Sequence, residues 1–144
     1  MAVFKKRTQT KAILVHCTAT KPHQDIGVRE VRQWHTRDNG WFDVGYHFII
    51  RRNGVIENGR PVDVVGAHAS GFNSDSVGVC LVGGINEEGK ADANFTLEQY
   101  VSLKTLLDTL KASYPESEIK GHRDVNNGKE CPSFDIHGLL ANVK

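Results

Sequence analysis

The chain has 144 residues, the size of one ordinary domain, and a chain of that length buries roughly two thirds of its unfolded surface without disulfide staples. Basic and acidic residues nearly cancel to a net charge of +1, so no basic stripe marks a nucleic-acid binder, and no apolar run approaches the ~20 residues of a membrane span. The opening MAVFKKRTQTK lacks the apolar centre of a signal peptide, so the sequence predicts a chain folded in the cytoplasm with its three cysteines as free thiols.

In chain order, residues 1–10 are expected to form a flexible tail to a single domain covering 1–144. Residues 11–17, KAILVHC, form a short apolar run rich in β-branched side chains, which predicts a buried strand ending in His16 and Cys17. Val28, Val31, Trp34 and His35 recur at helical spacing, which predicts an amphipathic helix over 28–37. The stretch YHFIIRRNGVIENGR places two extended segments, 46–51 and 55–58, around Asn53-Gly54, a pair suited to the left-handed conformations of a hairpin turn. Residues 77–82 are a second continuous apolar run, consistent with a central strand covered on both faces and with Cys80 in the core. Thr96 followed by Gln99 is a capping box, and Leu97, Val101, Leu107 and Leu110 carry helical spacing until Pro115 ends it. A brief strand at 118–121 and a helix at 134–142 complete the order. The expected class is α/β, a central mixed sheet with one hairpin and flanking helices.

Seven histidines are many for this length, and four of them, His16, His47, His68 and His122, lie in or beside predicted strands, where they can converge on one end or face of a sheet. Cys131 sits in a polar, turn-rich loop, GHRDVNNGKECPSFD, where a thiol has no packing reason to be. Histidine and cysteine together suit zinc, and three protein ligands with an open fourth position mark a catalytic rather than a structural site. His16, His122 and Cys131 make such a set. Their spacing matches no local zinc motif, and the rival chemistry is a nucleophilic Cys17 or Cys131 with a histidine base. Alternation along the first strand points Cys17 away from His16, and Pro132 removes a backbone donor next to Cys131, so this reading stands second.

Six blocks, ILVHCTATKP, VREVRQWH, WFDVGYHFIIRRNG, VGAHASGFNSDSVGVCLVGG, FTLEQYVSL and GHRDV followed by KECPSFD, together resemble the zinc N-acetylmuramoyl-L-alanine amidases of the peptidoglycan recognition protein superfamily, above all the short phage lysozymes of the T-seven type. The resemblance is collinear and runs from about residue 12 to the last predicted helix. It implies that His16, His122 and Cys131 hold one zinc ion, that Tyr46 and Lys129 are the catalytic side chains, and that His35, His68 and Asn73 border the substrate groove. Relative to the short phage lysozyme it most resembles, the stretch from His122 to Cys131 is one residue longer, and GHRDV is closer to the wider superfamily.

The activity so implied is hydrolysis of the amide between N-acetylmuramic acid and L-alanine in bacterial peptidoglycan. A chain without an export signal would then reach the wall from the host cytoplasm through a separate membrane pore. A peptidoglycan-binding module without catalysis is the alternative, disfavoured because Cys131 is present. The resemblance also carries phage RNA polymerase as a second partner; the charge balance and the lack of a long apolar run lead us to expect no bound nucleic acid and no membrane insertion, and a monomer is the default.

Overall fold

The run predicted as the first strand is β1, Ala12–Cys17, and it lies deep inside the sheet because five of its six residues are buried. A computed structural model describes residues 4–126, 131–133 and 136. Lys129 and the helix expected at 134–142 lie outside the described residues, apart from the buried Ile136. The remaining strands are β2, Phe48–Ile50, β3, Ile56–Asn58, β4, Ser76–Leu81, and β5, Glu118–Gly121. They form one sheet in the order β3-β2-β4-β1-β5. β2 and β3 pair antiparallel, whereas β4 runs parallel to β1 and β2, and β5 parallel to β1. The mixed sheet with one hairpin is thus the architecture expected, and its two central strands are the two continuous apolar runs.

Alternation along the central strands sends the two faces to different partners. Ile13, Val15 and Cys17 of β1 and Val77, Val79 and Leu81 of β4 pack under α2, Leu97–Ser113, through Leu103, Leu106, Leu107 and Leu110. The other face carries His16 and Cys80, side by side in register, and a smaller cluster of Val31, Val44, Ile49, Cys80 and Val82. That second face is where chemistry-bearing side chains collect.

The helix expected at 28–37 is α1, Val28–Gln33, which widens into a π-helical turn at Trp34–Asp38. Such turns are rare and concentrate at functional positions, and this one carries His35. In the hairpin, only Gly54 adopts positive φ, at 88°, while Asn53 accepts a hydrogen bond from the Val55 amide through its side chain. The turn therefore needs glycine at one position rather than at both.

The start of α2 corrects the expected apolar face. Thr96 and Gln99 form the predicted capping box in both directions, yet Leu97 and Val101 are 73% and 59% exposed while Gln99 is fully buried. The Gln99 amide donates to the Ile50 and Val82 carbonyls and so ties the helix to the ends of β2 and β4. A polar side chain takes the core position because the strand ends there present carbonyls rather than methyl groups.

Residues 4–10, expected as part of a tail, are hydrogen-bonded to the body of the domain. The Arg7 amide donates to the Asp63 carbonyl, the Val65 amide donates to the Lys5 carbonyl, and Phe4 lies against Phe42. Among the described residues, no helix is long and apolar enough to cross a membrane.

Candidate metal centre

The site lies toward the carboxyl ends of the parallel strands, the usual ligand position in open α/β sheets. His16 is the penultimate residue of β1. β5 ends at Gly121, and His122 opens α3, His122–Val125, a short helix the sequence did not reveal. The Asp124 carboxylate accepts from the Gly121 amide and fixes the corner that turns His122 inward. Cys131 returns to the same corner, where its carbonyl accepts from the Arg123 amide.

The ligating atoms of His16, His122 and Cys131 all lie within 4.8 Å of one another. Nδ1 of His16 faces Nδ1 of His122 at 3.1 Å. Two imidazole nitrogens and a sulfur, gathered from positions more than one hundred residues apart, form a donor set suited to one soft-to-borderline cation with a position left open. His16 is buried, and burial first, with His68 and His122 adding to it, holds its pKa well below the ordinary histidine value, so it offers a neutral ring. The neighbouring Cys17 thiol, and then burial, hold Cys131 well above the ordinary cysteine range, so a metal ion arriving there has a proton to displace.

Cys17 takes a part the sequence did not suggest. It is buried under α2 as expected, but its backbone amide donates to Sγ of Cys131 at 2.7 Å. His16 lies on the opposite face of β1 and so is not placed to act as a base for Cys17.

Tyr46 lies beside His16, with ring centroids 5.1 Å apart, and its other neighbour, His35, is 5.5 Å away. Burial, with the thiols of Cys80 and Cys131 adding to it, pushes the Tyr46 phenol well above its ordinary pKa. It is therefore a neutral hydrogen-bond donor over any working pH. His35 accepts from the Gly45 amide through Nδ1 and packs edge-on against Trp41.

Two cavities meet at Tyr46 and His122. One, of about 350 Å³, runs past Cys17, Gly84 and Cys131, and the other, of about 430 Å³, runs past His35, Trp41, His68 and Asn73. Tyr46, His35, His68 and Asn73 thus line the cavities that His122 and Cys131 also border, while the buried His16 lines neither and lies behind them against His122 and Tyr46. Asn73 turns its side-chain oxygen onto the amides of His68 and Ala69 and so holds that wall. His68 has both ring nitrogens engaged, one by His16 and one by Ser76. Lys129 lies outside the described residues.

Residues 6–134 match the family model described as N-acetylmuramoyl-L-alanine amidase. The chain belongs to that family. Consistent with this, it is 59% identical over 133 residues to the endolysin of Enterobacteria phage T3 and 57% identical over 133 residues to that of Escherichia phage T7, in each case covering 92% of this chain and 87% of the relative. The N-acetylmuramoyl-L-alanine amidase LysC from Clostridium intestinale superposes with a TM-score of 0.79 at 31% identity, over 99% of this chain and 96% of its own. Drosophila PGRP-LB shares the fold with a TM-score of 0.76 at 24% identity, over 99% of this chain and 84% of its own. The chain is therefore an amidase of the peptidoglycan-recognition fold.

Sequence reasoning missed His47 and Ser76 as supports of this amidase site. His47 is fully buried, accepts from the Gly78 amide through Nδ1 and donates to the Val64 carbonyl through Nε2. Its strand position was visible, but nothing local distinguishes a histidine that braces a sheet from one that reaches a ligand. Ser76 opens β4 and carries no sequence signal at all.

Proposed function

We propose that this amidase is a zinc-dependent endolysin that cuts the bond between the lactyl group of N-acetylmuramic acid and L-alanine in bacterial peptidoglycan. The observation that carries the reading is the meeting of His16, His122 and Cys131 within 4.8 Å at the junction of two cavities in a chain of the amidase family. Two imidazoles, that of His16 held neutral by burial, and one thiol that can lose its proton fit zinc and leave a coordination position for chemistry. When bound, zinc supplies Lewis acidity, lowering the pKa of water toward ~7 and polarising a carbonyl.

The side chains of the chain then have defined tasks. The scissile amide joins two unlike halves, a sugar and a peptide, and a cavity on each side of the Tyr46–His122 junction gives each half a place. Tyr46, held neutral by burial, donates a hydrogen bond to the carbonyl oxygen as it becomes negative. The family resemblance assigns Lys129 to the same developing charge. His35 and Asn73 shape the second cavity, His35 by its contact with Trp41 and Tyr46 and Asn73 by fixing the 68–69 backbone. Delivery to the wall through a separate membrane pore follows from the endolysin reading. Cells expressing the chain alone should then stay intact until their membrane is permeabilised.

The test is zinc content together with release of L-alanine amino termini from purified Gram-negative peptidoglycan, for the wild type and Cys131→Ser. About one zinc per chain and cleavage, both lost in the variant, is the expected result. Zinc without cleavage would turn the reading to a recognition module. Cleavage insensitive to chelator would return it to a cysteine nucleophile.

A further inference from the structure

His16 is tied to a chain of hydrogen bonds that leads away from the candidate metal position into the domain. Its Nε2 lies 2.9 Å from Nδ1 of His68, whose Nε2 lies 3.2 Å from Oγ of Ser76, and that hydroxyl reaches the Phe72 carbonyl at 2.6 Å. The direction of this chain follows from its last member. A carbonyl oxygen can only accept, so the single hydroxyl proton of Ser76 goes to Phe72. Oγ of Ser76 must then accept from His68, which places the His68 proton on Nε2 and leaves its Nδ1 as an acceptor. His16 in turn donates from Nε2, and its Nδ1 carries a lone pair directed at His122 and the candidate metal position.

We infer that His68 and Ser76 are positioning residues of the amidase, setting the tautomer and ring orientation of His16 so that Nδ1 is the nitrogen presented to the metal. His68 therefore acts through His16 rather than by holding substrate with its ring nitrogens. The fold makes room for this arrangement at one position. A Cβ on Gly78 would lie 2.6 Å from Cγ of His68, so the strand next to β1 needs glycine where the His68 ring passes. Gly78 also donates its amide to His47, whose ring stands edge-on to His68 at 5.8 Å. The ring of His68 is thus held by packing as well as by its two hydrogen bonds. An outer hydrogen bond of this kind fixes which nitrogen can ligate, and its loss typically costs about 10- to 100-fold in metal affinity.

The inference rests on the metal reading of His16, and the experiment separates the two. Nitrogen-15 NMR of the histidine rings in the full-length protein, with and without added zinc, reads which nitrogen of His16 carries the proton. A proton on Nε2 in both states is expected, and a proton on Nδ1 before zinc is added would overturn the inference. If the wild type takes up no zinc, the metal reading falls while the ring spectrum still decides the tautomer. Competition with a chromophoric chelator then gives zinc affinity for the variants. His68→Leu and Ser76→Ala should bind zinc about 10- to 100-fold more weakly, and His68→Asn, whose amide oxygen can stand near the place of Nδ1, should recover most of the loss. A purely structural role would lower the melting temperature of all three without such rescue. Wild-type affinity in a folded His68→Leu would refute the proposal.

Discussion

His47 offers a direct measure of how the buried histidines constrain this fold. Burial lowers its pKa to about 4, against 6.5 for a free histidine, and the same cause takes His68 to about 3. Both rings are neutral in the folded protein, whereas the unfolded chain takes up protons as pH falls below about 6.5. The unfolded state then binds more protons, so stability is full above that value and is lost as pH falls toward the folded-state values. Between about pH 7 and pH 5 each ring should cost about 2 kcal/mol, because the unfolded form is almost fully protonated at the lower value while the folded ring is still neutral. The assay is urea unfolding of the chelator-treated protein across this range, compared with His47→Gln, which cannot titrate. The wild type should lose about 4 kcal/mol from these two rings, and the variant about 2 kcal/mol less than the wild type. Equal pH slopes for the two proteins would refute the assignment of His47 as a neutral ring locked between Gly78 and Val64.

Tyr46→Phe should lower kcat about 100- to 1,000-fold while leaving zinc content and melting temperature near wild type, and a near-wild-type kcat would remove Tyr46 from the reaction. The wild-type rate should also show no alkaline loss assignable to Tyr46, because burial keeps its phenol protonated. Zinc binding should tighten as pH rises toward neutral, since Cys131 must lose a proton that its surroundings hold. Chelator competition at two pH values checks this, and a pH-independent affinity would contradict it. Gly78→Ala, which displaces the His68 ring, should weaken zinc binding about as much as His68→Leu does, roughly 10- to 100-fold. An unchanged affinity in that variant would mean that the ring has room the structure does not give it.

The local signals in the sequence were enough to place several elements. β1 and β4 are continuous apolar runs, the hairpin is punctuated by Asn53-Gly54, and α2 begins at a capping box, all features written within a few neighbouring residues. Residue type alone offered four histidines and Cys131 as candidates, and the resemblance to the amidases narrowed them to His16, His122 and Cys131, whose ligating atoms the fold brings within 4.8 Å of one another. What only the folded chain decided concerns partners far apart in sequence. The buried face of α2 could not be phased from apolar spacing, since Gln99 is drawn inward by carbonyls that exist only where β2 and β4 end. The approach of the Cys17 amide to Cys131, 114 residues away, is a tertiary contact that no local pattern records. The role of His68 depends on the parallel pairing of β1 with β4, which brings the His16 ring to a ring 52 residues away and that ring to Ser76. Propensity and periodicity act over one turn or one strand, while a proton's position on His16 is set by a hydrogen-bond chain that tertiary register assembles.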